Sequence, residues 1–146
     1  MGGFGPPADI NWTRAEHARG EWSPLLSREF TAATITELRH AVAARVAAVG
    51  LTGEPAENFV LAVHELATNA VRHGGGVGHL LLRRQGDVLR CDVDDQGAGA
   101  GAPPIRLSPG DEAGGRGLWL ADQLVDSLSL HRRPDGMTAT VTIGLR

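Results

Sequence analysis

LAVHELATNAVRHGGG, residues 61–76, reads as the second half of an amphipathic helix stopped by a glycine run. Phe59, Val63, Leu66, Ala67, Ala70 and Val71 recur at three- and four-residue intervals, so one side of this helix is built for burial. Glu65, Asn69 and His73 recur every fourth residue and form a polar row beside that apolar stripe. A carboxylate and an amide at a buried edge cost on the order of several kcal/mol unless a metal, a phosphate or water meets them. The alternative is a solvated helix face on which these residues fall by chance.

Working outward from that helix, Pro55 suits its first turn, and Gly50 and Gly53 separate it from an earlier one. In the earlier helix Ile35, Leu38, Val42, Val46 and Val49 keep helical spacing, and Thr34 with Glu37 has the spacing of a capping box. Residues 25–30, LLSREF, make an edge strand. Residues 1–22 are rich in Gly, Pro and charge and lack periodicity, so they are read as a partly disordered extension ahead of a domain spanning 23–146. Beyond the glycine run, VGHLLLRR at 77–84 and VLRCDVD at 88–94 flank Gln85-Gly86-Asp87 as an antiparallel hairpin. Residues 96–115 are nearly all Gly, Ala, Pro and polar side chains, a run too long for an ordinary connector and typical of a lid or a disordered loop. A helix over about 116–125 and two strands, 127–131 and 137–143 around a Pro-Asp-Gly turn, complete the chain. The fold class is therefore α/β, a two-layer sandwich of an antiparallel or mixed sheet with helices on one face.

Composition narrows the chemistry. At 146 residues the chain suits one domain with its own core. All 14 basic side chains are arginine, so the P-loop lysine, the strand lysine of eukaryotic-type protein kinases and any Schiff-base lysine are excluded. Cys91 is the only cysteine, which rules out an internal disulfide or a multi-cysteine zinc site and agrees with a reducing compartment. Net charge is −3, with no basic tract for nucleic acid, no apolar run of membrane-spanning length and no secretion signal at the start, so the expectation is a cytoplasmic protein.

Three polar islands then describe a nucleotide site. On the central helix, Asn69 is a neutral oxygen donor suited to Mg²⁺, which binds with substrate phosphates. Glu65, one turn away, suits a general base. His73 at the helix end suits either phosphate or the last carbonyls. In the second island Asp95 ends a strand where a carboxylate can accept the exocyclic amine of adenine, and Gly97 and Gly99 let the backbone turn close to a ligand. Asp94 beside it is a decoy. The third island sets Gly114, Gly115, Arg116 and Gly117 ahead of Leu118, so free backbone amides and a helix dipole face the loop, the outline of a phosphate cradle. An acidic turn and a flexible linker are the plain alternatives for the last two.

Taken in order, HELATNAVRHG, DDQGAG, GGRGLWL and DGMT resemble the GHKL, or Bergerat, ATP-binding fold, most closely the RsbW-like anti-sigma-factor serine/threonine kinases of bacteria and their actinobacterial relatives. The resemblance covers about residues 25–146. It implies that ATP and Mg²⁺ are the cofactors, that Asn69 holds the metal, that Glu65 is the catalytic base and Asp95 the adenine ligand, and that Gly97, Gly99, Gly115 and Gly117 shape pocket and lid. Leu118 belongs to the same cofactor-binding stretch. Thr138 matches a threonine near the family's last strand that supports the adenine contact, with Thr140 the other candidate. The implied partners are a sigma factor and an anti-sigma-factor antagonist, and relatives often pair as homodimers.

Other motifs fail on single residues. His64-Glu65 resembles the phosphoacceptor box of sensor histidine kinases but lacks the following proline, and HExxH zinc chemistry needs a histidine where Thr68 stands. Gly97, Gly99 and Gly101 open onto Ala-Pro-Pro and not onto a helix, unlike a dinucleotide fingerprint. Two further readings stay open beside the kinase: a non-catalytic ATP-binding docking module, and an ATPase that transfers to water.

Overall fold

The computed structural model describes residues 21–73, 75–95 and 115–145, excluding the side chains of 115 and 116. The order of elements is β1 (Ser23–Thr31), α1 (Ile35–Ala48), α2 (Gly53–His73), β2 (Val77–Gln85), β3 (Val88–Asp95), α3 (Gly115–Leu124), β4 (Ser127–Arg133) and β5 (Gly136–Gly144). The five strands form one sheet in the order β1-β2-β3-β5-β4, and every pairing is antiparallel, so the mixed alternative drops out. No helix among the described residues is long and apolar enough to cross a membrane.

Period-two alternation divides each strand between two faces. Leu80, Leu82, Leu89, Cys91, Val93, Ala139, Val141 and Ile143 face the helices, where they join Leu38, Val42 and Val46 of α1 and Phe59, Val63, Leu66 and Ala70 of α2 in one core. Burial raises the Cys91 thiol pKa well above its usual value, and the neighbouring Asp92 carboxylate adds to this, so the thiol stays protonated as a small apolar group. Phe30 lies across Gly78, its register partner; a Cβ on Gly78 would stand 2.5 Å from the ring, so only glycine fits beneath it.

The helix ends follow from local chemistry. α1 stops in a Schellman arrangement: Gly50 takes φ +95°, its N–H donates to the Ala47 carbonyl at 3.0 Å, and the Leu51 N–H donates to the Val46 carbonyl at 3.3 Å. Leu51 is then buried against the core. The expected capping box at the start of α1 does not form. Thr34 makes no side-chain cap; its hydroxyl oxygen accepts the Thr31 N–H at 3.0 Å instead, because the tight turn out of β1 brings that donor closer than the helix amides. α2 runs 21 residues, and the left-handed Gly75 and Gly76, at φ +87° and +92°, redirect the chain into β2.

The face of the sheet away from the helices carries charge. Asp92 is 7% exposed and accepts from Arg83 Nη2 at 2.6 Å, from Arg90 Nε at 3.2 Å and from the Thr140 hydroxyl. The Trp22 ring lies 5.8 and 5.7 Å from the two guanidinium carbons, in cation–π range.

Candidate functional site

Three chain segments meet at one end of the sandwich. α2 ends at His73, two glycines turn the chain, and Gly78 on β2 pairs in register with Asp95 at the end of β3. The helix bearing the polar row thus leads, within five residues, to the strand beside Asp95. α3 closes the third side: a Cβ on Gly117 would stand only 2.7 Å from Glu65 Oε1, so the first turn of α3 rests on that carboxylate.

Within α2, Asn69 is the polar residue that the apolar stripe takes inside. It is 5% exposed, and its Oδ1 has no hydrogen-bond partner among the described residues. Leaving such an acceptor unmet costs about 1–3 kcal/mol, which a fold accepts where a ligand completes the bond. His73 Nε2, one turn on, is likewise buried without a partner among the described residues. Glu65 and His73 are half-buried, so the row is graded from a sunken amide to two accessible ends. A neutral amide oxygen that no donor among the described residues uses fits a hard cation such as Mg²⁺, and no cluster of three or more His, Cys, Asp or Glu among the same residues competes for a metal.

His64 precedes Glu65 on the same helix, with its Nδ1 buried and unpartnered among the described residues. Burial lowers its pKa, the Arg39 guanidinium on α1 lowers it further, and the Glu65 carboxylate opposes both.

Asp95 is 3% exposed and lies on the helix-facing side of β3, in line with Leu89, Cys91 and Val93. Its partners there are Gly78 and Met137. Asp94 points the other way and pairs with Thr138, whose hydroxyl donates to Asp94 Oδ1 at 2.6 Å. Thr138 is therefore not brought together with Asp95: strand alternation sets its side chain on the opposite face, and Thr140 shares that face through Asp92. Leu118 is fully buried in the core, which leaves its backbone, and not its side chain, for a ligand. Gly115 and Arg116 open α3, whose first four amides have no helical acceptor. Gly97, Gly99 and Gly114 lie outside the described residues.

Sequence reasoning missed Arg133. Its Nη2 donates to the Asp95 carbonyl at 2.7 Å from the far side of the sheet. Only a register that sets β5 between β3 and β4 puts this arginine beside Asp95, and no local pattern around it carries that signal.

A five-stranded antiparallel sheet backed by helices thus carries a buried amide whose oxygen meets no donor among the described residues, beside a helix that starts in glycine. The chain belongs to the histidine kinase-like ATPase domain family, whose sequence model matches residues 29–143. This membership implies ATP binding. Among solved structures the fold is similar to the crystal structure of the RsbU and RsbW domains of Rv1364c from Mycobacterium tuberculosis, with a TM-score of 0.58 and 23% identity over 82% of this chain. The match spans 32% of that longer chain. No curated protein sequence matches.

Proposed function

We propose that the protein is a Mg²⁺-dependent, ATP-using serine/threonine kinase of the anti-sigma-factor type, which binds a sigma factor and phosphorylates an anti-sigma-factor antagonist. The observation that carries the reading is the polar row of α2: a buried Asn69 oxygen with no donor among the described residues, one turn from a half-buried Glu65 that α3 contacts. The RsbW domain named in the similar structure supports the choice of partner class.

In this reading Asn69 would hold Mg²⁺, which supplies charge neutralisation at the phosphates. Amides at the start of α3 would meet phosphate oxygens, helped by the positive end of the helix dipole. Arg116, or another arginine, takes the place of the absent lysine. Asp95 accepts the adenine amine. Glu65 takes the proton from the acceptor Ser or Thr hydroxyl as its oxygen bonds to the γ-phosphorus and ADP leaves.

Labelled ATP with candidate antagonist proteins tests the proposal. The wild type should label a Ser or Thr. Glu65→Gln should keep ATP affinity and lose transfer by about a hundredfold or more, the usual worth of a positioned base. Asn69→Ala should lose the Mg²⁺-dependent part of ATP binding. Full transfer by Glu65→Gln removes Glu65 as the base, and ATP binding without any labelled protein favours the docking module.

A further inference from the structure

Arg133 ends β4 and reaches across β5 to the last residue of β3. Its Nη2 donates to the Asp95 carbonyl at 2.7 Å and to the Met137 carbonyl at 3.2 Å, and its Nε donates to Thr138 Oγ1 at 3.1 Å. The Thr138 hydroxyl in turn donates to Asp94 Oδ1, so one guanidinium ties down the last two residues of β3, Asp95 through its backbone and Asp94 through Thr138. The fourth contact, Nη1 to Asp135 at 2.8 Å, involves a carboxylate 70% exposed and contributes little.

The location gives the clamp its meaning. Strand ends fray unless something holds them, and β3 ends at the residue whose side chain faces the nucleotide side. Arg133 fixes the backbone of that residue from the opposite face, where it does not touch the ligand. Arg suits this place because its planar fork serves two carbonyls and a hydroxyl at once, which a lysine ammonium on a flexible stem does not.

We propose that Arg133 is a positioning residue for base recognition: by holding the Asp95 carbonyl it keeps the Asp95 carboxylate where it accepts the exocyclic amine of adenine. The proposal rests on Asp95 as the adenine ligand. Guanine sets a carbonyl oxygen where adenine has that amine, so a fixed carboxylate accepts from ATP and repels GTP. A carboxylate on a loosened strand end can retreat from the carbonyl, and the discrimination falls.

The test is calorimetric titration of the full chain with ATP and with GTP, in Mg²⁺, for wild type, R133M and D135N, with thermal melts alongside. Wild type should prefer ATP. R133M should lose about tenfold in ATP affinity while GTP affinity changes little, so that the ratio collapses. D135N should keep the wild-type ratio, since it removes only the exposed pair. An unchanged ratio in R133M overturns the proposal, as does an equal loss for both nucleotides, which marks general damage to the fold. If R133M does not fold, R133K, which keeps the charge but lacks the fork that serves both carbonyls and the hydroxyl, decides by the same ratio. A wild type without preference for ATP overturns the adenine reading and the proposal with it, an outcome distinct from an unchanged ratio in R133M.

Discussion

Replacing Gly117 by alanine separates stability from catalysis in one step. A Cβ at 117 stands 2.7 Å from Glu65 Oε1 and 3.8 Å from its Cδ, whereas ordinary contact begins at 3.4 Å, so the carboxylate oxygen has to retreat by about 0.7 Å. Because the atom it meets is the end of a flexible side chain, rotation of Glu65 relieves the clash and the fold survives. Alanine in a helix is better than glycine by up to about 1 kcal/mol, and Gly117 takes no left-handed φ that alanine would resist. The melting temperature should therefore stay level or rise by up to about 4 °C. Transfer should fall, since a base displaced by nearly 1 Å loses on the order of ten- to a hundredfold, equivalent to about 1.4–2.7 kcal/mol of barrier. Single-turnover labelling of the acceptor protein from labelled ATP in Mg²⁺, measured beside a thermal melt, gives both quantities. Wild-type turnover in a variant that folds normally refutes the reasoning, because Glu65 would then act from a position that the start of α3 does not set.

Two further substitutions probe the scaffold. Asp92→Ala leaves the buried Arg83 and the half-buried Arg90 without their shared carboxylate and should destabilise the fold by about 3–5 kcal/mol in urea unfolding; a loss under about 1 kcal/mol would show that water reaches this side of the sheet. His64 has a folded pKa below its ordinary 6.5, so the unfolded chain binds its proton first as pH falls, and stability is lost from about pH 6.5 downward through the folded value. His64→Gln should show a shallower loss of urea midpoint between pH 7.5 and 5.5 than wild type, and parallel slopes would remove His64 from the acid response.

Much of this arrangement was legible along the chain because it depends on local spacing. The helical period placed α1 and α2 and the buried faces of both. Glycine and turn chemistry separated β2 from β3 and marked where α2 stops. The polar row could be read because Glu65, Asn69 and His73 repeat with the turn of one helix. Thr34 shows the limit: its spacing to Glu37 satisfied the capping rule, yet the turn from β1 supplied a nearer donor at Thr31.

What the sequence determined by itself was the set of elements and the chemistry each carries: helix, hairpin, acidic strand end, glycine-led helix, and no lysine anywhere to serve a phosphate. The tertiary structure alone decided which of those groups share a face. Side chains alternate along a strand, so a shift of one residue in the β3–β5 register exchanges Met137 for Thr138 beside Asp95, and that register is set by pairing residues more than forty positions apart. The same pairing turned Thr138 toward Asp94 and brought Arg133 behind Asp95. Burial of Asn69 also needed the tertiary structure, since a helix viewed alone has an amide at the edge of its apolar stripe, and only packing against the rest of the fold closes that edge to water.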